Sequence, residues 1–494
     1  MKTMPNPYEL VRYTGYPFAQ THPDRLSTMG RIYGMNPPPI HQARVLEIGC
    51  CDGGNLIPMA LSLPGGEFVG IDLTAPDIAI ARQTAATLGI GNVQFHEFDL
   101  TNLPGPFGQF DYIVAHGIYS WIPPEVREKM LAVIQASLTP QGVAYVSYNA
   151  LPGGYMRTMI RDMMQFHTRG LQGADEILAG ARQILEFVVA ASGRDSDYQA
   201  FIRKELEDNM GRPSYGLFHD ELEEYNQPVY FHEFAAHAAR CGLQFLAEAN
   251  YFDMRPESAG GGIESPVFDA VSADPLLREQ YLDFARCRRF RQTLLCHATI
   301  QRSPNVVPES FKDLYFASPA HEVPVADSAS TGAREFHGPK DSKIKTAHPT
   351  VLRCMSAMVE AWPDAVPFNA LCTLEADFVP VFEILNALFG NGLVEARTTR
   401  PNLVLNPGER PVASPLARWQ APQGIPITTL RNTSLITDGQ LERRLIALLD
   451  GTRTRDDLFA ELSPMLSTGK SEAELKAELE VSLNTLGKLC LLMA

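Results

Sequence analysis

No apolar run in the chain approaches the ~20 residues of a membrane-spanning helix, which excludes helical membrane insertion as an expectation. The opening MKTMPNPYEL lacks a basic start followed by an apolar stretch, so no secretory leader is expected. The eight cysteines follow no paired metal-ligand spacing, and adjacent Cys50 and Cys51 fall in a glycine turn, a poor place for a structural disulfide. Both points favour a reduced, cytoplasmic setting. Basic residues are in deficit: 42 Lys and Arg against 57 Asp and Glu leave a formal charge of −15. That excess repels phosphate backbones and makes specific nucleic-acid binding a poor default. The densest basic run, Arg286, Arg288, Arg289 and Arg291, is read as a solvated helix face or as ion pairs within the fold. His232 and His237 sit five apart around Glu233, off any zinc pattern, so no metal is assigned.

What the chain does have is length and a change of rhythm. At 494 residues and roughly 150 residues per domain, three domains are expected, with two as the alternative. From Arg44 short apolar strands alternate with helices: Val45–Ile48, Glu67–Leu73, Val93–Phe98, Phe110–Ala115 and Gly142–Tyr148, with helices over Leu56–Leu63, Pro76–Leu88 and Glu125–Leu138. That alternation implies a parallel sheet covered on both faces. After Asn149 it stops. Residues 155–212 read as amphipathic helices, Phe231–Cys241 as a helix followed by the apolar Leu243–Phe245, and Pro266–Arg302 as helical again. Residues 303–347 read as a linker or long surface loop. Beyond them, helix-helix-strand patterns suggest winged-helix units, one with Phe378, Val381, Phe382, Leu385, Leu388 and Phe389 on one helix face. The expected divisions are therefore 1–160, 161–302, 303–347 and 348–494.

The most specific segment is Val45-Leu46-Glu47-Ile48-Gly49-Cys50-Cys51-Asp52-Gly53-Gly54-Asn55. It ends a strand and opens a helix, and its glycines permit a sharp turn and close approach to a ligand. A dinucleotide fold is one candidate. However, the acid at the strand end, Glu47, suits the cationic amino group of a methionine better than a pyrophosphate. The second strand ends in Asp72-Leu73, where an acid can accept from ribose hydroxyls. The third ends in Asp99-Leu100, where Asp99 can accept from an adenine amino group beside Phe98 and Leu100. Ligands of such sheets lie outside the carboxyl ends of the strands. Each acid alone has a helix-capping alternative; three at successive strand ends point to S-adenosylmethionine (SAM).

These motifs resemble class I SAM-dependent methyltransferases, whose seven-stranded Rossmann-like sheet is the implied fold. The proposed cofactor contacts are Glu47, Gly49, Asp52, Gly53, Asn55, Asp72, Leu73, Asp99, Leu100 and His116. One departure is Cys51, where the family carries a glycine. The stretches Gln20–Leu26, His116–Pro123, Ser147–Gly153, His219–Glu224 and Pro228–Phe234 resemble one branch, which carries a methyltransferase regulatory domain behind the catalytic one. Rickettsial lysine methyltransferases of an outer-membrane protein are members. The resemblance implies a catalytic domain with an N-terminal lid over 1–160, a mainly helical regulatory domain over 161–302 and a winged-helix-like domain over 348–494. The protein substrate is expected from the same resemblance.

Residue chemistry leaves more open. The fourth strand lacks an Asn-Pro-Pro-Tyr type motif, which weighs against amide or adenine amino acceptors. His116, Tyr119, Trp121 and Tyr148 are the candidate catalytic residues, the aromatic three as a hydroxyl-tipped channel for an alkyl ammonium, or simply as loop packing. His116 has two roles open, a backbone contact to the cofactor or a side-chain base. Tyr13, Tyr16 and His22 are candidates for a lid or a packing arm. His219, Asp220, Glu223 and Glu224 are candidates for a contact to a basic substrate or for a helix-start acid cluster. A small-molecule methyltransferase and a catalytically silent SAM-binding regulator are the alternatives to a lysine methyltransferase. A DNA-binding tail is disfavoured because Asp377–Phe389 has no Lys or Arg.

Overall fold

The computed structural model describes residues 14–102, 108–191, 196–210, 214–223, 225–256, 262–303, 305–325, 331–465 and 470–493. Strands β1 (Arg44–Ile48), β2 (Glu67–Asp72), β3 (Val93–Glu97), β4 (Phe110–Ala115) and β5 (Leu138–Asn149) form the parallel part of a sheet. Two more strands, β6 (Leu243–Glu248) and β7 (Phe290–His297), complete seven in the order β3-β2-β1-β4-β5-β7-β6, with β7 antiparallel to both neighbours. Val45, Leu46 and Ile48 are all buried, as befits a central strand covered on both faces.

Helices α1 (Pro23–Ile32), α2 (Leu56–Ser62), α3 (Ala75–Thr87) and α4 (Pro124–Ser137) flank this sheet. Helices α5 (Gly154–Thr168), α6 (Ala174–Ala191) and α7 (Asp197–Met210) stand apart around their own core of Ile160, Met164, Leu178, Leu185 and Ile202. Helix α8 (Phe231–Arg240) returns to the sheet, where Phe234 and Ala238 pack with Met130, Leu131 and Ile134 of α4. The opposite face of the sheet shares its core with residues Phe311, Phe316, Met355, Phe382 and Phe389. Residues 413–492 have a separate core built on Leu445, Leu449, Leu458 and Leu483.

Two expectations are corrected. The region 266–302 is not helical throughout: helices α9 (Pro266–Val271) and α10 (Pro275–Arg286) are followed by β7. Cys287 adopts φ +49° and its N–H bonds back to Asp283 and Phe284, so the helix stops in a left-handed residue where neither glycine nor proline announces it. Strands β6 and β7 thus belong to the seven-stranded sheet, although they lie inside the segment read as a helical middle domain. Likewise 303–347 is not a bare linker. It contains β8 (Tyr315–Ala317), β9 (His321–Val323), β10 (Arg334–His337) and β11 (Lys343–Thr346), and β8 pairs with Val366–Pro367 and Glu395–Arg397 of the following unit. Runs of three or four residues are too short to display a period of two. The apolar helix expected near 378 is present as Phe378–Gly390, with Val381, Phe382, Leu385, Leu388 and Phe389 buried.

The basic run is an internal ion-pair cluster. Arg291 is fully buried and reaches Glu248 at 2.6 Å, Asp283 at 2.8 Å and Glu279 at 3.1 Å; Arg288 lies 2.9 Å from Asp283. The cluster pins α10 and β6 to β7. Removing the cation leaves buried carboxylates unpaired. Arg291→Ala is therefore expected to lower the unfolding free energy by about 3–5 kcal/mol, read from the urea midpoint. A loss no larger than that of an exposed arginine would contradict this role.

Candidate active site

The loop from β1 to α2 is shaped by three left-handed residues: Gly49 (φ +73°), Cys51 (φ +50°) and Gly53 (φ +79°). A Cβ on Gly49 would collide with Ile118, and one on Gly53 would crowd Phe95 at 2.8 Å. Cys51 keeps the glycine-like backbone despite its side chain, at a cost of about 1–2 kcal/mol. Its N–H donates to Asp72 Oδ2 at 2.9 Å, and Asp72 Oδ1 accepts from Thr74 N at 2.9 Å. Asp72 therefore couples the loop to the start of α3.

Glu47 ends β1 inside the molecule, 3% exposed. Its Oε1 accepts from Asn55 Nδ2 at 2.7 Å, while Oε2 is buried with no partner among the described residues. Burial pushes its carboxyl up to about 8, against the Asn55 hydrogen bond and helped by the charges of Asp72 and Asp52. Asn55 also receives Phe18 N–H at 2.8 Å and pairs with Thr21 at 3.0 Å. Asp52 receives Gly15 N at 3.1 Å and Gly54 N at 3.2 Å. A Cβ on Gly54 would strike the Gly15 backbone. The N-terminal segment thus lies directly on the glycine loop. Its Tyr13 is outside the described residues, and His22 caps α1, accepting from Asp24 N at 3.2 Å.

The other strand-end residues stand where expected. Leu73 is 60% exposed after β2. Asp99 follows β3 and accepts from Thr101 N at 2.8 Å and from Asn102 at 3.0 Å. Leu100 and Phe98 are half-buried beside the sheet core. His116 follows β4. Its Nδ1 lies 2.9 Å from the Tyr145 hydroxyl and 3.1 Å from Ser147 Oγ. Its ring packs against Phe18 with centroids 4.0 Å apart and faces the edge of Phe290 at 6.1 Å. Burial pushes the imidazole down to about 4, so it is neutral at pH 7.

The aromatic channel is corrected. Tyr119 and Tyr148 are 3% and 1% exposed and pack with Phe234 of α8 in the core behind the sheet. The Tyr119 hydroxyl lies 2.8 Å from His237 Nδ1, and that of Tyr148 lies 3.1 Å from Thr293 Oγ1. Trp121 is half-buried in the short turn Tyr119–Trp121. Strand side chains alternate between faces. Tyr145 and Ser147 therefore meet His116 while Tyr148 points the other way. Phe18, Tyr145, Ser147 and Phe290 went unnoticed in the sequence; the alternation along Tyr145–Tyr148, referred to His116, was the available signal. The second acidic cluster retains a His219 Nδ1–Glu223 Oε1 contact of 3.1 Å; the Asp220 side chain and Glu224 lie outside the described residues.

A seven-stranded sheet with one antiparallel strand, a glycine loop after β1 and acids ending β1, β2 and β3 defines a class I SAM-dependent methyltransferase. A buried carboxylate oxygen with no partner among the described residues, beside a glycine-lined turn, fits the cofactor, whose amino group is cationic. The chain matches the methyltransferase domain family over residues 45–142, a predicted methyltransferase regulatory domain over 213–297, and the PKMT C-terminal winged helix domain over 409–486. It is 34% identical over 401 residues to the uncharacterized protein RP789 of Rickettsia prowazekii, covering 78% of this chain and 72% of that one. Over 246 residues it is 35% identical to RP028 of the same organism, covering 50% of this chain and 98% of that one. PKMT2 from Rickettsia typhi superposes with a TM-score of 0.86 at 27% identity, covering 98% of this chain and 100% of that chain; its complex with AdoHcy gives 0.85. The chain belongs to the branch of class I SAM-dependent methyltransferases that carries a methyltransferase regulatory domain. Among the described residues, no helix is long and apolar enough to cross a membrane.

Because the Tyr119 hydroxyl serves the core, Tyr119→Phe is expected to lower stability by about 1 kcal/mol in chemical denaturation. SAM affinity measured by calorimetry should stay within about twofold, well under the 1.4 kcal/mol of a tenfold change. A turnover defect at full stability would restore Tyr119 to the acceptor site.

Proposed function

We propose that this chain transfers the methyl group of SAM to lysine side chains of a protein. The observation that supports it is the likeness to PKMT2, which extends over 98% of this chain rather than over the cofactor domain alone. When bound, SAM supplies an electrophilic methyl on a sulfonium, taken by in-line displacement. The chain's own part is to hold the cofactor, align the amine and keep water out.

In this reading Glu47 Oε2 receives the cofactor's amino group, with Asn55 and Asp52 holding the loop around it. Gly49 and Gly53 let the backbone approach. Asp72 and Leu73 border the ribose, and Asp99 and Leu100 the adenine. On the acceptor side, His116 with Tyr145 and Ser147 provides polar atoms, and Phe18 and Phe290 provide apolar walls. His116 is too weak a base to hold a proton from an amine whose ordinary value is near 10.4, so it orients the acceptor rather than deprotonating it. The amine loses its proton to solvent as it enters the apolar walls, where desolvation disfavours the cation.

Two outcomes are expected. First, Glu47 holds a proton in the free protein at pH 7, because its folded value of about 8 exceeds the ordinary 4.5. Its protonated form stabilises the fold below that window, and the advantage is lost as pH rises from about 4.5 to about 8. A cationic amino group favours the carboxylate, so SAM binding at pH 7 should release a proton. Calorimetry in buffers of different ionisation enthalpy measures this, and Glu47→Gln should bind with no release. Equal release by the variant would refute the Glu47 contact. Second, radiolabel from SAM should enter a lysine-rich protein and be lost when its lysines are acetylated beforehand, which leaves no basic amine to accept a methyl. The rate should climb up to about tenfold per pH unit below the amine's own titration. Equal labelling of both proteins, or labelling of a small metabolite alone, would replace the lysine reading.

A further inference from the structure

On the face of the sheet covered by α4 and α8, a second group of polar side chains converges. Glu128 of α4, His237 of α8 and Cys241, which caps α8, place one ligand atom each within 4.8 Å of one another. Glu128 Oε2 lies 2.7 Å from His237 Nε2, and Cys241 Sγ lies 3.5 Å from Glu128 Oε1. His237 and Cys241 are one helical turn apart and share a face; the Cys241 N–H still bonds to the His237 carbonyl at 3.3 Å, which keeps the thiol on that face. The other nitrogen of His237, Nδ1, is held by the buried Tyr119 hydroxyl, whose ring Arg127 covers at 4.8 Å. The Glu128 side chain is 59% exposed, so the group opens to solvent.

We propose that Glu128, His237 and Cys241 form a metal site of the zinc class that ties α4 to α8. Imidazole, thiolate and carboxylate are the ligands zinc takes, with bond lengths of about 2.0–2.3 Å. A thiolate beside an imidazole disfavours magnesium and calcium, which take oxygen. Tetrahedral ligands at those lengths stand about 3.3–3.8 Å apart; one Glu128 oxygen, the imidazole nitrogen and the thiol sulfur lie within 4.8 Å of one another, so side-chain adjustments of roughly 1 Å bring the three to that spacing. Binding removes the thiol proton to solvent and requires the imidazole proton on Nδ1. From there it donates to the Tyr119 oxygen, the partner that metal-bound histidines ordinarily find in their surroundings. A water completes the fourth position. Glu128 lies within the span matched by the methyltransferase domain family, and His237 and Cys241 lie within that of the regulatory domain, so the metal would clamp the two together.

The test uses the full chain, stripped with a chelator and titrated with cobalt(II). One equivalent should bind with a thiolate-to-cobalt charge-transfer band in the near ultraviolet, displaced by zinc. Cys241→Ser should lose the band. Glu128→Gln, a change at a largely exposed side chain, should weaken binding at least tenfold, and Tyr119→Phe about tenfold. Zinc should raise the melting temperature of the parent protein and not that of Glu128→Gln. No charge-transfer band in the parent, a band that persists in Cys241→Ser, or equal thermal shifts in parent and Glu128→Gln would overturn the site. None of these readouts passes through methyl transfer.

Discussion

The side-chain amide of Asn55 donates to Glu47 at 2.7 Å and accepts Phe18 N–H at 2.8 Å. It meets Thr21 at 3.0 Å and receives Asn432 Nδ2 at 3.3 Å. One buried amide thus joins the first strand's terminal acid, the N-terminal segment and a residue 377 positions away. The reason such a hub is needed lies in Glu47. A carboxylate removed from water costs several kcal/mol unless it is paired, and Asn55 satisfies only one of its oxygens. The free protein meets the remaining cost by retaining a proton. A cation delivered to the second oxygen would meet it differently, which under the proposed reading couples cofactor binding to proton release.

The same hub explains why the C-terminal region is not an appendage. Helix α1 sits between the sheet and residues 395–398. Its buried Asp24 pairs with Arg397 at 2.9 Å and accepts Thr398 N–H at 2.8 Å. Arg431 joins Glu395, and its neighbour Asn432, in the left-handed conformation, reaches Asn55. Tyr251 adds a stack on Phe389 at 4.9 Å and a hydrogen bond to Asn386. The segment that lies on the glycine loop and the units downstream therefore share partners. Any movement of residues 395–432 is felt at Asp24 and Asn55 together.

Much of this was legible in the sequence because it is local. The glycine loop, the acids at successive strand ends and the apolar stripe of Phe378–Gly390 are patterns within a dozen residues, and each maps onto the structure where it was expected. What escaped is set by contacts over long separations. Strand β7 carries Arg291, whose charge looks like a helix surface until Glu248, Glu279 and Asp283 are seen around it. The three-residue β8 becomes a strand only through pairing with residues 366–367 and 395–397. Glu128 and His237 stand 109 residues apart, so no spacing rule would join them.

The residues around His116 show the sharpest form of this limit. Tyr119, Tyr148, His116 and Ser147 occupy two short segments, and nothing in their order tells which share a face. Backbone parity decides it: residues 145 and 147 of β5 meet His116, while 146 and 148 enter the core with α8. A hydroxyl in that core answers to stability, because an unpaired buried polar group costs about 1–3 kcal/mol. Near His116 the constraint is different. There the apolar walls of Phe18 and Phe290 hold the imidazole neutral, and the same desolvation that lowers a histidine favours the uncharged form of an entering amine. A site that keeps its own base unprotonated is suited to an acceptor that must arrive as a free amine. This physical property, rather than any single catalytic side chain, is what a methyl-accepting lysine requires.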